Sequence, residues 1–588
     1  MNYQQLTSEY FVLAPIERNN EQVLLCRSIK HFFYDFFVQK NGDYVAVDTN
    51  TELELRQIYK SSPSALFKIY LSKKSKQYTN LINQQYALAK KHIEKLIENT
   101  DILTRSLVRS RLENLSFRHY SEMQGIDEEV DPDICPAFYH ANSNTYYYSD
   151  EETLADIALT MHELLHGASS APDGSSNGFM LYSQYQDQKT KQLLNFESGR
   201  GLSEGATEFY SSLALHKVPD SYDILVHIYD CLRQACRNVF VDTFYFSNKP
   251  KNFATHISNS FHYDNNYQIE KLIAQMDAHY AISEVSSLSR DKKSADFLSI
   301  NLECYKTLID MFVHKYNYEK VSLDDKYLFD NFLPLGNMDE ATKGYYQKKL
   351  QPALELYFSM KMYCEKQDNE NEVSDQDIEA IILKLMPYML DKKNIPPQAI
   401  PEEIKTPKFY QKLFSVWQSY SKNFEETTPT TKYKLYKTLF SAKCLPKDRA
   451  MQLQIVDMAM KSTDFYYAFV YMYFPKNLLV EYLNKNPKYA VLCIQENPTY
   501  FVENIISNLS SKIKQDPSFR KTVISTLKKL EPEKRNQIIE KYYHSLTKEL
   551  KLNREIIKEL ESVTDETTDA AFVQRIQDPE IYIDEIIQ

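Results

Sequence analysis

The chain has 588 residues and a formal net charge of −11, with 43% hydrophobic and 25% charged residues. This balance is typical of a globular protein and excludes an intrinsically disordered chain. Lysine and arginine are interleaved with acidic residues, so we expect no basic surface for nucleic acid. Domains usually contain about 100–200 residues, which predicts two or three of them here.

The eight cysteines are scattered without a CxxC pair, so neither a disulfide framework nor a structural zinc knuckle is expected. Cys231 and Cys236 lie on a predicted helix and are interpreted as core residues.

No stretch reaches the ~20 apolar residues of a membrane span. The nearest, residues 465–474, is interpreted as a buried aromatic helix. The N-terminus lacks the basic and apolar regions of a signal peptide. We therefore expect a cytoplasmic protein without a membrane partner, although export by a signal-independent system leaves no mark in a sequence.

Residues 1–75 form the first predicted domain, an α/β segment. Within it, residues 23–26 and 32–38 are strand-like or helical, and Asn41-Gly42-Asp43 is a turn signal. From residue 86 to 119, apolar side chains recur at helical spacing, which predicts helix.

Two strand-like runs, residues 137–140 and 145–149, flank a turn at residues 142–144, which predicts a β-hairpin. We expect Thr145–Tyr148 to be an edge strand, because an exposed edge can pair with an extended peptide.

A helix is predicted from about Asp150 to His166. Ser149 and Glu152 fit the S-x-x-E capping box at its start, and Gly167 is a typical residue for its end.

Beyond about residue 210 the pattern is predominantly helical, and residues 321–588 are predicted to form a helical C-terminal region with a break near 392–432. Asn486-Pro487 and Asn497-Pro498 each place a proline where it favours the first turn of a short helix. The predicted linkers are residues 365–377, 392–408 and 425–432. The fold class expected is therefore α+β, mainly helical, with a small antiparallel sheet followed by an all-α region.

Residues 162–166 read His-Glu-Leu-Leu-His, an H-E-x-x-H motif. On a helix, histidines four residues apart face the same side and can bind one Zn²⁺. Glu163 is then placed to act as a general base on water. Chance produces this motif in roughly 2% of chains of similar size and composition. The alternative is therefore a buried helix with two hydrogen-bonded histidines.

A third ligand is available downstream, where Glu204 and Glu208 are four residues apart. One carboxylate can ligate the metal while the other accepts the spare N–H of a ligating histidine. The alternative is a solvated acidic pair, which mildly destabilises a helix. Six of the ten glycines lie between residues 167 and 205, which predicts that the two helices are linked with special backbone geometry.

His162–His166 followed by Gly-Leu-Ser-Glu204-Gly-Ala-Thr-Glu208 resembles the gluzincin clan of metallopeptidases, which includes thermolysin. It is most similar to bacterial proteins with the pattern HELLH…GF…GxGLNEGxTE, over about residues 136–245. Ser203 stands where those proteins commonly have Asn, a departure that removes no metal ligand.

The resemblance implies a zincin-like catalytic domain over residues 76–320. It also implies one Zn²⁺ per chain on His162, His166 and Glu204, with Glu208 beside a ligand. Gluzincins usually add a histidine or tyrosine that stabilises an oxyanion, and the candidates here are Tyr222, His227 and Tyr229. His140, in the hairpin, is interpreted as structural.

The predicted activity is metal-assisted hydrolysis of peptide bonds in a peptide or protein substrate, with Glu163 as general base. One alternative is a catalytically silent binding or scaffold protein, suggested by the large C-terminal region, which we expect to contact a protein partner. Another is a secreted effector protease that acts on a host protein. The same ligand set also accepts Mn, Fe or Co.

Overall fold

The structure is a computed structural model. It describes residues 1–18, 21–30, 34–59, 78–122, 135–171, 173–186, 191, 193–219, 221–283, 290–319, 344, 346–365, 378–379, 381–382, 400–413, 445–461, 474–496 and 498–528. The chain divides into two compact units, residues 1–39 with 44–377, and residues 40–43 with 378–588. The N-terminal segment, predicted as a separate domain, thus belongs to the same unit as the H-E-x-x-H motif.

The described chain is mainly helical with small sheets, as the sequence predicts. Among its helices, none has both the length and the apolar composition needed to cross a membrane. The elements of the first unit follow in chain order: α1 Tyr3–Glu9, β1 Tyr10–Arg18, β2 Glu21–Ser28, β3 Tyr34–Lys40, β4 Asp43–Ala46, α2 Thr49–Ile58, α3 Thr79–Leu96, α4 Ile102–Glu113, β5 Ser116–His119, β6 Ala137–His140, β7 Thr145–Tyr148, α5 Glu151–Ala155, α6 Ile157–Ser169, β8 Leu181–Gln186, β9 Leu193–Ser198, α7 Arg200–Leu215, α8 Asp223–Ala235, α9 Asn238–Phe246, α10 Pro250–Ser260, α11 Tyr267–Ser283 and α12 Arg290–Glu319, then a helix at Gln351–Glu365.

The first sheet has the strand order β1-β2-β3-β4, and β2 pairs antiparallel with both β1 and β3. The runs at residues 23–26 and 32–38, read as strand or helix, therefore contribute to strands β2 and β3. β1 packs against α11 and α12. Since α11 also packs against α7, the N-terminal sheet and α7 contact the same helix.

The second sheet overturns the predicted edge position of Thr145–Tyr148. Its strand order is β5-β7-β6, with β5 parallel and β6 antiparallel to β7. The predicted hairpin of β6 and β7 is present, but β7 is the central strand and all four of its residues are buried. β5 pairs with β7 on the side opposite to β6. The last four residues of the segment predicted as helix, residues 116–119, thus form strand β5 instead.

The predicted helix at residues 150–166 is two helices. Asp150 caps α5 by accepting from the Thr153 N–H at 2.8 Å, so the cap is not Ser149 as predicted. Asp156 ends α5 and caps α6, accepting from the Ala158 N–H at 2.8 Å. The helix does not end at Gly167 as predicted but continues to Ser169. Gly167 instead allows close packing, since a Cβ there would lie 2.7 Å from Leu115.

The glycines that precede and enter α7 confirm the expected special geometry. Gly199 has φ +82° at the cap of α7, a conformation that glycine adopts without strain. A Cβ on Gly201 would lie 2.2 Å from the carbonyl oxygen of Met276 in α11. α7 can therefore pack against α11 with almost no space between the two backbones.

In the second unit, two described helices begin at Pro487 and Pro498, as the Asn-Pro dipeptides predict. Further described helices of this unit are Arg449–Lys461, Lys476–Lys485, Ser511–Lys514 and Pro517–Lys528. The predicted linkers at 365–377 and 425–432 and the aromatic stretch at 465–474 lie almost wholly or wholly outside the described residues, and of the linker at 392–408 only residues 400–408 are described. In the first unit, Cys231 and Cys236 are both buried, as expected of core residues.

Candidate metal centre

Three side chains predicted as ligands meet where α6 packs against α7. His162 and His166 come from one face of α6, and Glu204 comes from α7. The two imidazole Nε2 atoms are 3.2 Å apart, and Oε2 of Glu204 lies 3.2 Å from the first and 3.3 Å from the second. All three side chains are buried, and together they could hold a metal ion.

The spacing of these three atoms fits a single small ion. Ligand atoms at about 2.0–2.1 Å from a tetrahedral centre lie about 3.3 Å from one another, close to the three observed separations. The two Nε2 atoms and the carboxylate oxygen face one another instead of separate hydrogen-bond partners. This geometry favours a metal centre over the alternative of two hydrogen-bonded core histidines.

Glu208, one turn beyond Glu204, lies beside the first histidine as predicted. Its Oε2 is 3.1 Å from Nδ1 of His162, so with a metal bound His162 would donate from Nδ1 and leave the lone pair of Nε2 for the ion. Ser212 donates to the other oxygen of Glu208 at 3.1 Å. The ring of His162 is thus fixed from behind by a carboxylate that is itself hydrogen-bonded.

The charges around His162 favour a cation at this position. Burial by itself lowers the pKa of His162, but its hydrogen bonds to the carboxylates of Glu204 and Glu208 outweigh this effect and raise the pKa to about 10. Burial likewise raises the pKa of Glu204, but His166, His162 and Arg200 hold it well below its usual range. A divalent ion supplies the same positive charge that a proton on His162 supplies in its absence.

Glu163 is buried beside the ligands, and burial raises the pKa of its carboxyl group despite the nearby histidines. The backbone N–H of Tyr139, in edge strand β6, donates to this carboxylate. A carboxylate whose pKa is raised toward neutrality accepts and returns protons more readily than a solvated one. β6 therefore lies beside the predicted general base. It is β6, and not β7 as predicted, that provides an edge strand there.

Of the three candidate oxyanion stabilisers, the structure brings only Tyr222 to the ligands. Its ring centroid lies 6.2 Å from that of His162. His227 Nδ1 is instead 2.8 Å from the Tyr305 hydroxyl, and the Tyr229 hydroxyl is 2.7 Å from that of Tyr210. Both belong to the buried packing of α8. His140 bonds Ser143 within the hairpin at 2.8 Å, which agrees with the structural role expected for it.

Arg200 is a site residue that the sequence analysis missed. Its Nε lies 3.6 Å from Oε1 of Glu204, and its Nη1 lies 3.4 Å from Oε1 of Glu197. The spacing of four residues between Arg200 and Glu204 was a detectable signal, because such pairs share a helix face.

A second missed feature holds the start of α7. Asp277, in α11, accepts hydrogen bonds from the N–H groups of Gly199 and Gly201, each at 2.9 Å. Arg27, in β2, pairs with Asp277 at 2.5 Å and donates to the Glu197 carbonyl at 2.6 Å. No local pattern predicts these contacts, since their partners are 76 to 250 residues apart.

Comparison with known protein families, with curated proteins and with solved structures gave no match.

Proposed function

We propose that this chain is a zinc-dependent metallopeptidase of the gluzincin type, with a zincin-like catalytic domain. The observation that carries the proposal is the convergence of two Nε2 atoms and one carboxylate oxygen at 3.2–3.3 Å. Two histidines and one glutamate are a typical ligand set of catalytic zinc, which leaves a fourth position open.

The surrounding residues support peptide hydrolysis. His162, His166 and Glu204 would hold a divalent ion, which when bound would supply the positive charge that polarises a carbonyl group and acidifies water. Glu163 removes a proton from the attacking water and later delivers it to the leaving nitrogen. Tyr222, whose ring lies 6.2 Å from that of His162, donates a hydrogen bond from its hydroxyl group to the carbonyl oxygen as negative charge develops there.

The substrate is proposed to be an extended peptide that pairs with β6. This strand forms an edge of its sheet, and its Tyr139 backbone contacts Glu163. Pairing with an exposed strand edge gives main-chain hydrogen bonds to any extended sequence. The scissile bond is thereby brought beside the general base.

The metal is tested first, by inductively coupled plasma mass spectrometry on wild type and Glu204→Ala purified in parallel. We expect about one zinc per wild-type chain, because three protein ligands suffice for a catalytic site, and a large loss in the variant. A wild-type chain that takes up no metal, even after zinc is added, contradicts the proposal.

The reaction is tested with Glu163→Gln on a mixture of extended peptides, with cleavage followed by mass spectrometry. The variant should keep its zinc and lose about 10²- to 10⁴-fold in rate, because it retains the ligands but not the base. Zinc binding without any wild-type cleavage would instead support the binding or scaffold protein.

A further inference from the structure

The two oxygens of the Glu204 carboxylate have different partners. Oε2 faces the Nε2 atoms of both histidines at 3.2 and 3.3 Å. Oε1 faces the guanidinium of Arg200, whose Nε is 3.6 Å away. A glutamate can ligate a metal through one oxygen or both, and here a cation lies next to the second oxygen.

The guanidinium of Arg200 is itself held from two sides. Nη1 lies 3.4 and 3.5 Å from the two carboxylate oxygens of Glu197, a residue that is only 9% exposed. The ring of Tyr280, which is also buried, lies under the guanidinium at 5.0 Å from its centroid. Arginine is suited to this position because it can stack on a ring while its edge pairs with carboxylates.

The backbone around Arg200 is fixed by the same helix that supplies Tyr280. Asp277 accepts from the N–H groups of Gly199 and Gly201, the two neighbours of Arg200. Asp277 and Tyr280 are three residues apart in α11 and so face the same side of that helix. α11 therefore holds both the main chain and the side chain of Arg200.

We infer that Arg200 is a positioning residue: its guanidinium forms an ion pair with Oε1 of Glu204 at 3.6 Å, so that this glutamate would ligate the metal through Oε2 alone. One-oxygen ligation keeps a coordination position for water and substrate. Glu197 balances the charge of Arg200, so the effect of Arg200 on the metal comes mainly from orientation. The inference assumes the metal centre of the proposed function and adds how its third ligand is oriented.

The test uses the full-length chain loaded with Co²⁺, whose visible absorption reports coordination number, together with Zn²⁺ affinity from competition with a chelator. In Arg200→Met the absorption should weaken, because Glu204 then binds through both oxygens and raises the coordination number. Zinc affinity should fall by about 10- to 100-fold, as for other residues that orient a ligand. Arg200→Lys should recover part of the affinity, since it keeps the charge but not the planar contact.

The matched control is Arg233→Met. Arg233 is also paired with a buried carboxylate, Asp242, at 2.7 Å and stacked on a ring, that of Phe209, at 5.1 Å. Its loss should lower stability without changing the cobalt spectrum or zinc affinity.

Failure of this inference is distinct from failure of the proposed function. A wild-type chain that binds neither Co²⁺ nor Zn²⁺ removes the metal centre itself. Wild-type metal binding with an unchanged spectrum and affinity in Arg200→Met overturns only the role of Arg200. If Arg200→Met does not fold, Arg200→Gln is measured in its place, and its identity with wild type in both measurements overturns the role.

Discussion

Glu208 holds His162 from the side opposite to Glu204. Nδ1 of His162 is 3.1 Å from Oε2 of Glu208, and Nε2 is 3.2 Å from Oε2 of Glu204. Both glutamates come from one face of α7, so a single histidine connects α6 to two successive turns of its neighbour. This contact fixes which nitrogen of His162 is free to ligate a metal.

Replacing Glu208 should therefore weaken metal binding without removing a ligand. We expect Glu208→Gln to reduce zinc affinity by about 10- to 100-fold, measured by competition with a chelator. Ser212→Ala, which removes only the hydrogen bond to the other oxygen of Glu208, serves as the control and should have a smaller effect. Equal affinities in Glu208→Gln and wild type would show that the tautomer of His162 is set in another way.

Tyr222 should affect the reaction rather than the metal. Tyr222→Phe is expected to lower the rate of peptide cleavage by about 10²- to 10³-fold with zinc content unchanged, because it removes one donor to the oxyanion. In Tyr229→Phe the hydroxyl that bonds Tyr210 is lost, so stability should fall by about 1 kcal/mol while cleavage persists. Full activity of Tyr222→Phe would show that Tyr222 is not the hydrogen-bond donor to the oxyanion.

Gly201 should be essential for the packing of α7. Gly201→Ala would place a Cβ 2.2 Å from the Met276 carbonyl oxygen, and the backbones must separate to accommodate it. We expect a loss of at least about 1–3 kcal/mol in the free energy of unfolding, measured by urea denaturation, together with reduced zinc content. Gly344→Ala is the control, because its Cβ meets no atom within 4 Å; equal losses in the two variants would contradict the packing argument.

Two buried histidines outside the candidate metal centre should make the free energy of unfolding decrease in acid. Burial lowers the pKa of His227 and of His279 from 6.5 to about 4. Between these values the unfolded chain binds protons that the folded chain does not, so stability decreases as the pH falls from 6.5 to 4. Each histidine should contribute about 3 kcal/mol to that decrease.

Urea denaturation of wild type and His279→Gln across this pH range provides the measurement. The difference between the two chains isolates His279 from the carboxyl groups that titrate nearby in pH. The slope of unfolding free energy against pH should be shallower in the variant, by an amount approaching one proton. Parallel curves would mean that His279 is protonated within the folded chain.

Local sequence patterns were sufficient to identify the candidate metal ligands on α6 and α7. H-E-x-x-H and the pair Glu204 and Glu208 depend on a spacing of four residues, which any α-helix converts into a shared face. The prolines at 487 and 498 likewise act within a single helical turn. These patterns can be recognised without knowledge of the fold, because the residues of each pattern lie close together along one helix.

The strand beside the site could not be assigned in this way. Thr145–Tyr148 was predicted as an edge strand, but β5 pairs with it from a different part of the chain. β-propensity describes a pleated, partly buried surface and does not tell which neighbours a strand acquires. The edge at the site was therefore decided by tertiary pairing, which left β6 beside Glu163.

The sequence by itself determined which residues can hold a metal and which carboxylate can act as a base, because these depend on side-chain chemistry and helical spacing. Only the tertiary structure decided how those residues are oriented. Arg27 and Asp277 reach the start of α7 from β2 and α11, and Tyr280 stacks on Arg200. Such contacts join residues that are far apart in the chain, and they form only when helices and strands pack together to bury their apolar faces.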